Sequence, residues 1–215
     1  MVKALGVFLK KEKNIFRTEA YIQWGKSDSV LGTVIMLNPG SAKLKFENCT
    51  TNSPTYGEII IDPTMKSLIM LVEKIYEKVE LLEGRFYIYN LFPLQNPCSN
   101  DAVKNFELLW KEDEELVKSF PKKKEVLLDK FRKSPWMLVG WGCGKSSDNL
   151  NFVKNQWLKL IKESGIPIIG KMGKDELSFY HPRPYIQHKQ IEYINEIKEQ
   201  YNKIFKSEST GKIEG

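Results

Sequence analysis

Three short stretches carry side chains able to do chemistry on a polar substrate. The first is Asn38-Pro39-Gly40-Ser41-Ala42. An amide at the end of an apolar run can donate one hydrogen bond and accept another, so Asn38 can orient a water molecule. Pro39 fixes the backbone beside it, and Gly40 leaves space. The same residues would also make an ordinary Asx-type turn. The second is Asn90, which precedes Leu91-Phe92-Pro93-Leu94. Its amide offers a donor and an acceptor to a pyrimidine edge; the plainer alternative is a strand-end Asn capping its own loop. The third is His181-Pro182-Arg183-Pro184, between Tyr180 and Tyr185, and His181 is one of only two histidines. A proline-stiffened loop holding His and Arg suits a phosphate or a leaving-group oxygen. Its alternative is a surface turn.

A fourth stretch, Gly140-Trp141-Gly142-Cys143-Gly144-Lys145-Ser146, resembles a phosphate loop. The pattern needs glycine five residues before Gly144, and Val139 stands there. No acidic strand end follows to help hold Mg²⁺. A nucleotide hydrolase is therefore a minor reading. Lys145 and Ser146, with the loop amides, instead suit a DNA phosphate near a helix N-terminus.

The elements that must position these residues can be read from periodicity. Leu31–Leu37 is a continuous apolar run, the pattern of a buried strand, and Pro39-Gly40 stops it. Residues 85–91, 135–140 and 166–170 read as three further strands. Helices are expected over 64–82, from Asn100-Asp101 to about Phe120, over 121–133, from an Asp148 cap to Glu163, and over 188–205. Asp62, in Asp62-Pro63-Thr64, reads as a cap or turn residue that could also help polarise a water. Residues 1–30 suggest an edge hairpin around Lys10–Asn14, 43–61 an inserted loop, and 207–215 a disordered tail. Strands alternating with helices predict a three-layer α/β/α sandwich around a central four-stranded parallel sheet, as a single domain over 1–206. Such folds bind ligands at the carboxyl ends of their strands, and the polar stretches above lie there.

Composition narrows the function classes. The chain has 215 residues, 41% hydrophobic and 28% charged, which is the balance of a globular domain. A net charge of +6 fits a polyanionic partner. Cys49, Cys98 and Cys143 are odd in number and widely spaced, which argues against a disulfide framework or a metal site. No apolar run is long enough for a signal peptide or a membrane span, so a cytoplasmic protein without membrane contact is expected.

The order Asn-Pro-Gly-Ser-Ala, Asn-Leu-Phe-Pro-Leu, His-Pro-x-Pro resembles the uracil-DNA glycosylase superfamily. Its first motif is similar to that of the mismatch-specific and single-strand-selective uracil glycosylases. The second resembles the single-strand-selective type, and the third carries Arg183 where that superfamily has Ser. The chain also resembles small bacterial and phage proteins with Asn-Pro-Ser, Asp-Pro-Thr, Asn-Leu-Phe, Trp-Gly and His-Pro in series. Here these are Asn38-Pro39-Gly40, Asp62-Pro63-Thr64, Asn90-Leu91-Phe92, Trp141-Gly142 and His181-Pro182.

The resemblance implies a uracil-DNA glycosylase-like fold and a monofunctional DNA glycosylase. Such an enzyme hydrolyses the N-glycosidic bond of a flipped pyrimidine with no cofactor and no metal. Asn38 would hold the attacking water, Asn90 would read the base edge, and His181 would donate to the base oxygen that gains charge. Arg183 would wedge into the duplex and contact phosphate, and an aromatic, Phe46 or else Tyr56, would stack on the base. Ser41 and Gly40 would complete the pocket. In the family's most uracil-strict members a tyrosine stands where Gly40 is, so glycine would admit 5-substituted pyrimidines. Modified phage cytosines are then candidate substrates, and antiphage defence a candidate setting. The expected partner is DNA, bound by a monomer. A nucleic-acid-binding relative without catalysis is the alternative.

Overall fold

The structure, a computed structural model, describes residues 1–46, 49–112 and 120–206. Its strands are β1 (Val2–Lys11), β2 (Asn14–Trp24), β3 (Val30–Met36), β4 (Thr55–Ile59), β5 (Gly84–Asn90), β6 (Met137–Val139) and β7 (Ile168–Ile169). Its helices are α1 (Pro63–Tyr76), α2 (Ser99–Glu112), α3 (Lys124–Arg132), α4 (Asp148–Ser164) and α5 (Gln187–Phe205).

The sheet is mixed and seven-stranded, in the order β4-β1-β2-β5-β3-β6-β7, rather than four-stranded and wholly parallel. β3 pairs in parallel with β5 and β6, and β6 with β7. β1, β2 and β4 extend it on the other side as antiparallel strands. The amino-terminal hairpin, expected at an edge, lies inside the sheet, because β2 hydrogen-bonds β5 and β4 covers β1. β4 comes from the 43–61 insert, expected to be a loop. Its Thr55-Tyr56-Gly57-Glu58-Ile59 has too few apolar residues to announce a strand, and pairing with β1 supplies what propensity does not.

Helices cover both faces. Alternate residues of β3 and β6 divide between two cores, as the period of a strand requires. Val34, Met36 and Leu138 pack with α1 and α5, while Ile35, Met137 and Val139 pack with α2, α3 and α4. This double burial explains why β3 reads as an unbroken apolar run.

Helix ends follow local chemistry. α1 starts at Pro63 behind Asp62, whose Oδ1 accepts from the Met65 N–H at 2.8 Å. It stops at Tyr76 rather than Leu82: Glu77 takes a left-handed φ of 62° and returns its N–H to the Glu73 carbonyl. α3 begins at Lys124 rather than Pro121. α2 is described to Glu112, so its expected end near Phe120, like the predicted tail, falls on 113–119 and 207–215, which lie outside the described residues. α4 is capped by Ser147, not Asp148: Ser147 Oγ accepts from the Leu150 N–H at 3.1 Å and donates to Glu107.

This assignment is testable by mutation. Ser147→Ala should cost about 1 kcal/mol, lowering Tm by roughly 2–4 °C, whereas Asp148→Ala should cost less. Thermal denaturation of both variants checks it, and a larger loss from Asp148→Ala would reverse the assignment.

Candidate functional site

The carboxyl ends of β3, β5, β6 and β7 open onto one cleft of about 440 Å³. Residues 37–40 after β3, Asn96 and Pro97 after β5, 141–145 after β6, and 180–181 with 183–185 beyond β7 line it. Arg17 from β2 and Asp62 at the head of α1 complete the wall. Backbone hydrogen bonds carry the ladder past the strand ends and fix the loops at one level. The Leu91 N–H reaches the Met36 carbonyl and the Gly140 N–H reaches that of Ile35, each at 2.9 Å.

Asn38 lies in this cleft with its amide already oriented. Nδ2 donates to the Asn96 carbonyl at 2.8 Å, and more weakly to that of Leu94. Among the described residues no donor reaches Oδ1, so the side chain offers an acceptor. Gly40 follows with φ +66°, a conformation that favours glycine, and no atom lies within 4 Å of where a Cβ would stand.

His181 reaches the same cleft from a loop braced on β6. A Cβ on Gly140 would come within 2.8 Å of Pro182 Cδ, so the strand end and the His-Pro turn touch directly. The segment before it is tied down as well: the Gly142 N–H donates to the Phe179 carbonyl at 2.7 Å, and Trp141 Nε1 donates to Leu177. The Arg183 N–H donates to His181 Nδ1 at 3.2 Å. That bond requires a lone pair on Nδ1, so in the neutral ring the proton sits on Nε2. Burial pushes the His181 pKa below its ordinary 6.5 and outweighs the opposing effect of the Arg183 backbone hydrogen bond; the Arg183 charge adds to the lowering and Asp62 pulls weakly upward. At neutral pH the ring is an uncharged Nε2–H donor.

The remaining expected site residues divide. Arg183 and Lys145 line the cleft. Ser146 does not; its hydroxyl donates to Asn151 Oδ1 and accepts from Lys154. Ser41 is exposed outside it. Phe46 is 80% exposed and Tyr56 55%, and neither reaches the cleft. Phe46 instead lies under Lys45, and Tyr56 sits on the edge strand bonded to Tyr21. Asn90 stands behind the wall: its Oδ1 is taken by Arg17 at 2.9 Å and its Nδ2 is buried without a partner. A sealed amide of this kind does not read a ligand edge directly. The phosphate-loop reading also loses ground, since the Gly142 N–H and the Ser146 hydroxyl are both engaged.

Two cleft residues were not anticipated. Arg17 is 4% exposed and Lys154 2%, and both line the cleft. Lys154 lies seven residues past the Ser147 cap, in the second turn of α4, and turns inward to Ser146 and Ser178. Charged residues on an otherwise alternating strand and an amphipathic helix read as solvated, so neither gave a signal. Among the described residues no group of three or more His, Cys, Asp or Glu could hold a metal ion, and no helix is long and apolar enough to cross a membrane. No protein-family model matches the chain, and no curated protein or solved structure does either.

The shielded imidazole should leave a mark on stability. Below pH 6.5 an unfolded chain binds a proton that folded His181 resists. The stability it contributes is complete above that pH and is lost as pH falls through the lower folded pKa. Between pH 7 and 5, Tm of the protein should therefore fall more steeply than that of His181→Gln. Parallel curves would show that the ring is not shielded.

Proposed function

We propose that the chain is a DNA glycosylase, with β5, β3, β6 and β7 as the parallel core of a uracil-DNA glycosylase-like fold. The observation that carries this reading is the meeting of Asn38 and His181 in one cleft. One presents an oriented acceptor and the other a neutral Nε2–H donor.

Hydrolysis of an N-glycoside needs little more. The carbon–nitrogen bond breaks with its electron pair leaving on the base, and the sugar carbon becomes cation-like. A water held at Asn38 Oδ1 then adds its oxygen to that carbon, and its proton ends on the departed base. Asn38 is not basic enough to take the proton; its part is to aim the water. Asp62, whose Oδ2 accepts no hydrogen bond among the described residues, faces the same cleft and can polarise that water. His181 donates to the base oxygen where negative charge collects. A neutral imidazole suits this task because it stabilises the anion without needing to change charge. One aimed donor of this kind supplies about 3–4 kcal/mol.

Substrate choice follows from the space beside Gly40. The open volume there supports a pocket that takes a pyrimidine bearing a group at its 5-position, including a modified phage cytosine. Arg183 and Lys145 at the cleft, on a chain of net charge +6, would contact the DNA backbone. Asn90 enters this scheme by holding Arg17 rather than by touching the base. No side chain of Phe46 or Tyr56 is at hand to stack, which leaves Tyr180 and Tyr185 on the cleft wall for that role.

Base release by mass spectrometry from DNAs carrying uracil, mismatched thymine, 5-hydroxymethylcytosine or glucosylated cytosine tests the proposal. A free base should appear with the native protein, and His181→Ala should slow its release by about 10²–10³-fold. Asn38→Ala should slow it as well. DNA binding with no base released from any of them would replace the glycosylase with a non-catalytic DNA-binding protein.

A further inference from the structure

Arg17 is a buried charge with no carboxylate in ion-pair contact among the described residues. β1 and β2 lose register between Val7 and Phe8: Val7 faces Glu19 but Phe8 faces Arg17, so Thr18 is an extra, unpaired residue. A β-bulge of this kind re-aims the residues on one side of it. Ala20, Ile22 and Trp24 are buried at alternate positions, and the bulge adds Arg17 to the inward-facing residues although it is out of phase with them. Its Nη2 donates to Asn90 Oδ1. Among the described residues its other N–H groups have no side-chain acceptor and no carboxylate pairs with it. Burial lowers its pKa to about 10, against a pull upward from Asp62, so it stays charged at neutral pH.

Lys154 repeats the situation from the opposite layer. It is 2% exposed, and its Nζ donates only to the neutral hydroxyls of Ser146 and Ser178, at 3.1 and 3.2 Å; Asp175, which accepts from Ser178 Oγ, attracts it through that hydroxyl without an ion pair. Lys145 and Arg183 add two outer cations to the same cleft, where Asp62 is the one carboxylate among the described lining residues. Buried charges that lack a direct ion pair are costly to the fold. A cleft with two of them is built for an incoming anion.

We propose that Arg17 and Lys154 make this cleft a binding site for a phosphoryl group, with Arg17 as its principal contact. The donor inventory favours phosphoryl over a base edge. Arginine and lysine only donate. Uracil and thymine place an N–H between their two carbonyls, which a donor-only set cannot match. A phosphoryl group offers acceptors on every side, and its oxygens fit the guanidinium fork in pairs. The inference does not need the glycosylase reading: a phosphoryl site is expected here whether or not a base is released.

Calorimetry on the full chain at low salt tests it, with thymidine, thymidine 5′-monophosphate, inorganic phosphate and a short oligothymidylate as probes. The monophosphate should bind at least about tenfold tighter than thymidine. Inorganic phosphate should compete with it. Arg17→Met keeps the length of the side chain without its charge and should erase the difference between nucleotide and nucleoside while holding or raising the Tm of the ligand-free protein. Lys154→Met, a separate change on a separate element, should reduce the same difference severalfold, and it keeps the test alive if Arg17→Met does not fold. A mononucleotide that outbinds the oligomer identifies a free nucleotide as the source of the phosphoryl group; the reverse identifies the backbone of a nucleic-acid strand. Equal binding of thymidine and its monophosphate, or a preference that survives in both variants, overturns the proposal.

Discussion

β3 lies between β5 and β6, and from Leu31 onward it is buried along its whole length, with side chains packed into cores on both faces. The one polar side chain on its body, Thr33, is buried and turns its hydroxyl to the Trp136 carbonyl, so the body of the strand presents nothing to a ligand. Function is therefore forced to the end of the strand, where the ladder runs out. The parallel pairing puts the ends of β5, β6 and β7 at the same rim. Asn38 leaves one strand, the 91–97 turn the next, and the glycine-rich turn after Gly140 a third. The closing contacts between these turns, Asn38 to Asn96 and Gln95 to Ala42, are possible only because the strands share one direction.

The antiparallel half of the sheet contributes the opposite kind of residue. β2 brings Arg17 to the rim from the side, where the 93–95 turn lies against it: the Arg17 N–H donates to Pro93 and the Gln95 N–H to Ile15. The bulge at Thr18 makes the guanidinium point inward, and Asn90 holds it there. This arrangement is expensive, since Asn90 Nδ2 is left buried without an acceptor. Two poorly satisfied polar groups side by side contribute little to folding. They make sense as parts held ready for a ligand, which is where local departures from packing rules concentrate.

Much of the framework could be read from residue order. β3 is an unmistakable apolar run, Pro63 and Gly165 mark helix ends, and Asn38 and His181 stand where strand-end geometry asks for polar side chains. What escaped was decided by contacts between distant segments. β4 is a strand because β1 offers it an edge, not because of its own residues. Arg17 is buried because of one extra residue in a pairing register, and no periodicity count anticipates a bulge. Phe46 sits where an aromatic was wanted in sequence, yet nearness along the chain says nothing about the wall it faces. Ser147 and Asp148 are both good caps, and only the dihedral angles choose between them.

The charges of the cleft act on one another. His181 stays neutral chiefly because it is buried; the Arg183 charge works in the same direction, while the Arg183 backbone hydrogen bond and Asp62 pull the other way. Arg17 feels the same Asp62 across the cleft. That single carboxylate is therefore a shared counter-charge, already committed through Oδ1 to the start of α1. Removing it would weaken a helix start and leave two neighbouring groups facing only positive charge. The capping residue of α1 thus ties the stability of the helix to the protonation of the imidazole it faces, and the geometry of the cleft cannot be changed at Asp62 without changing both.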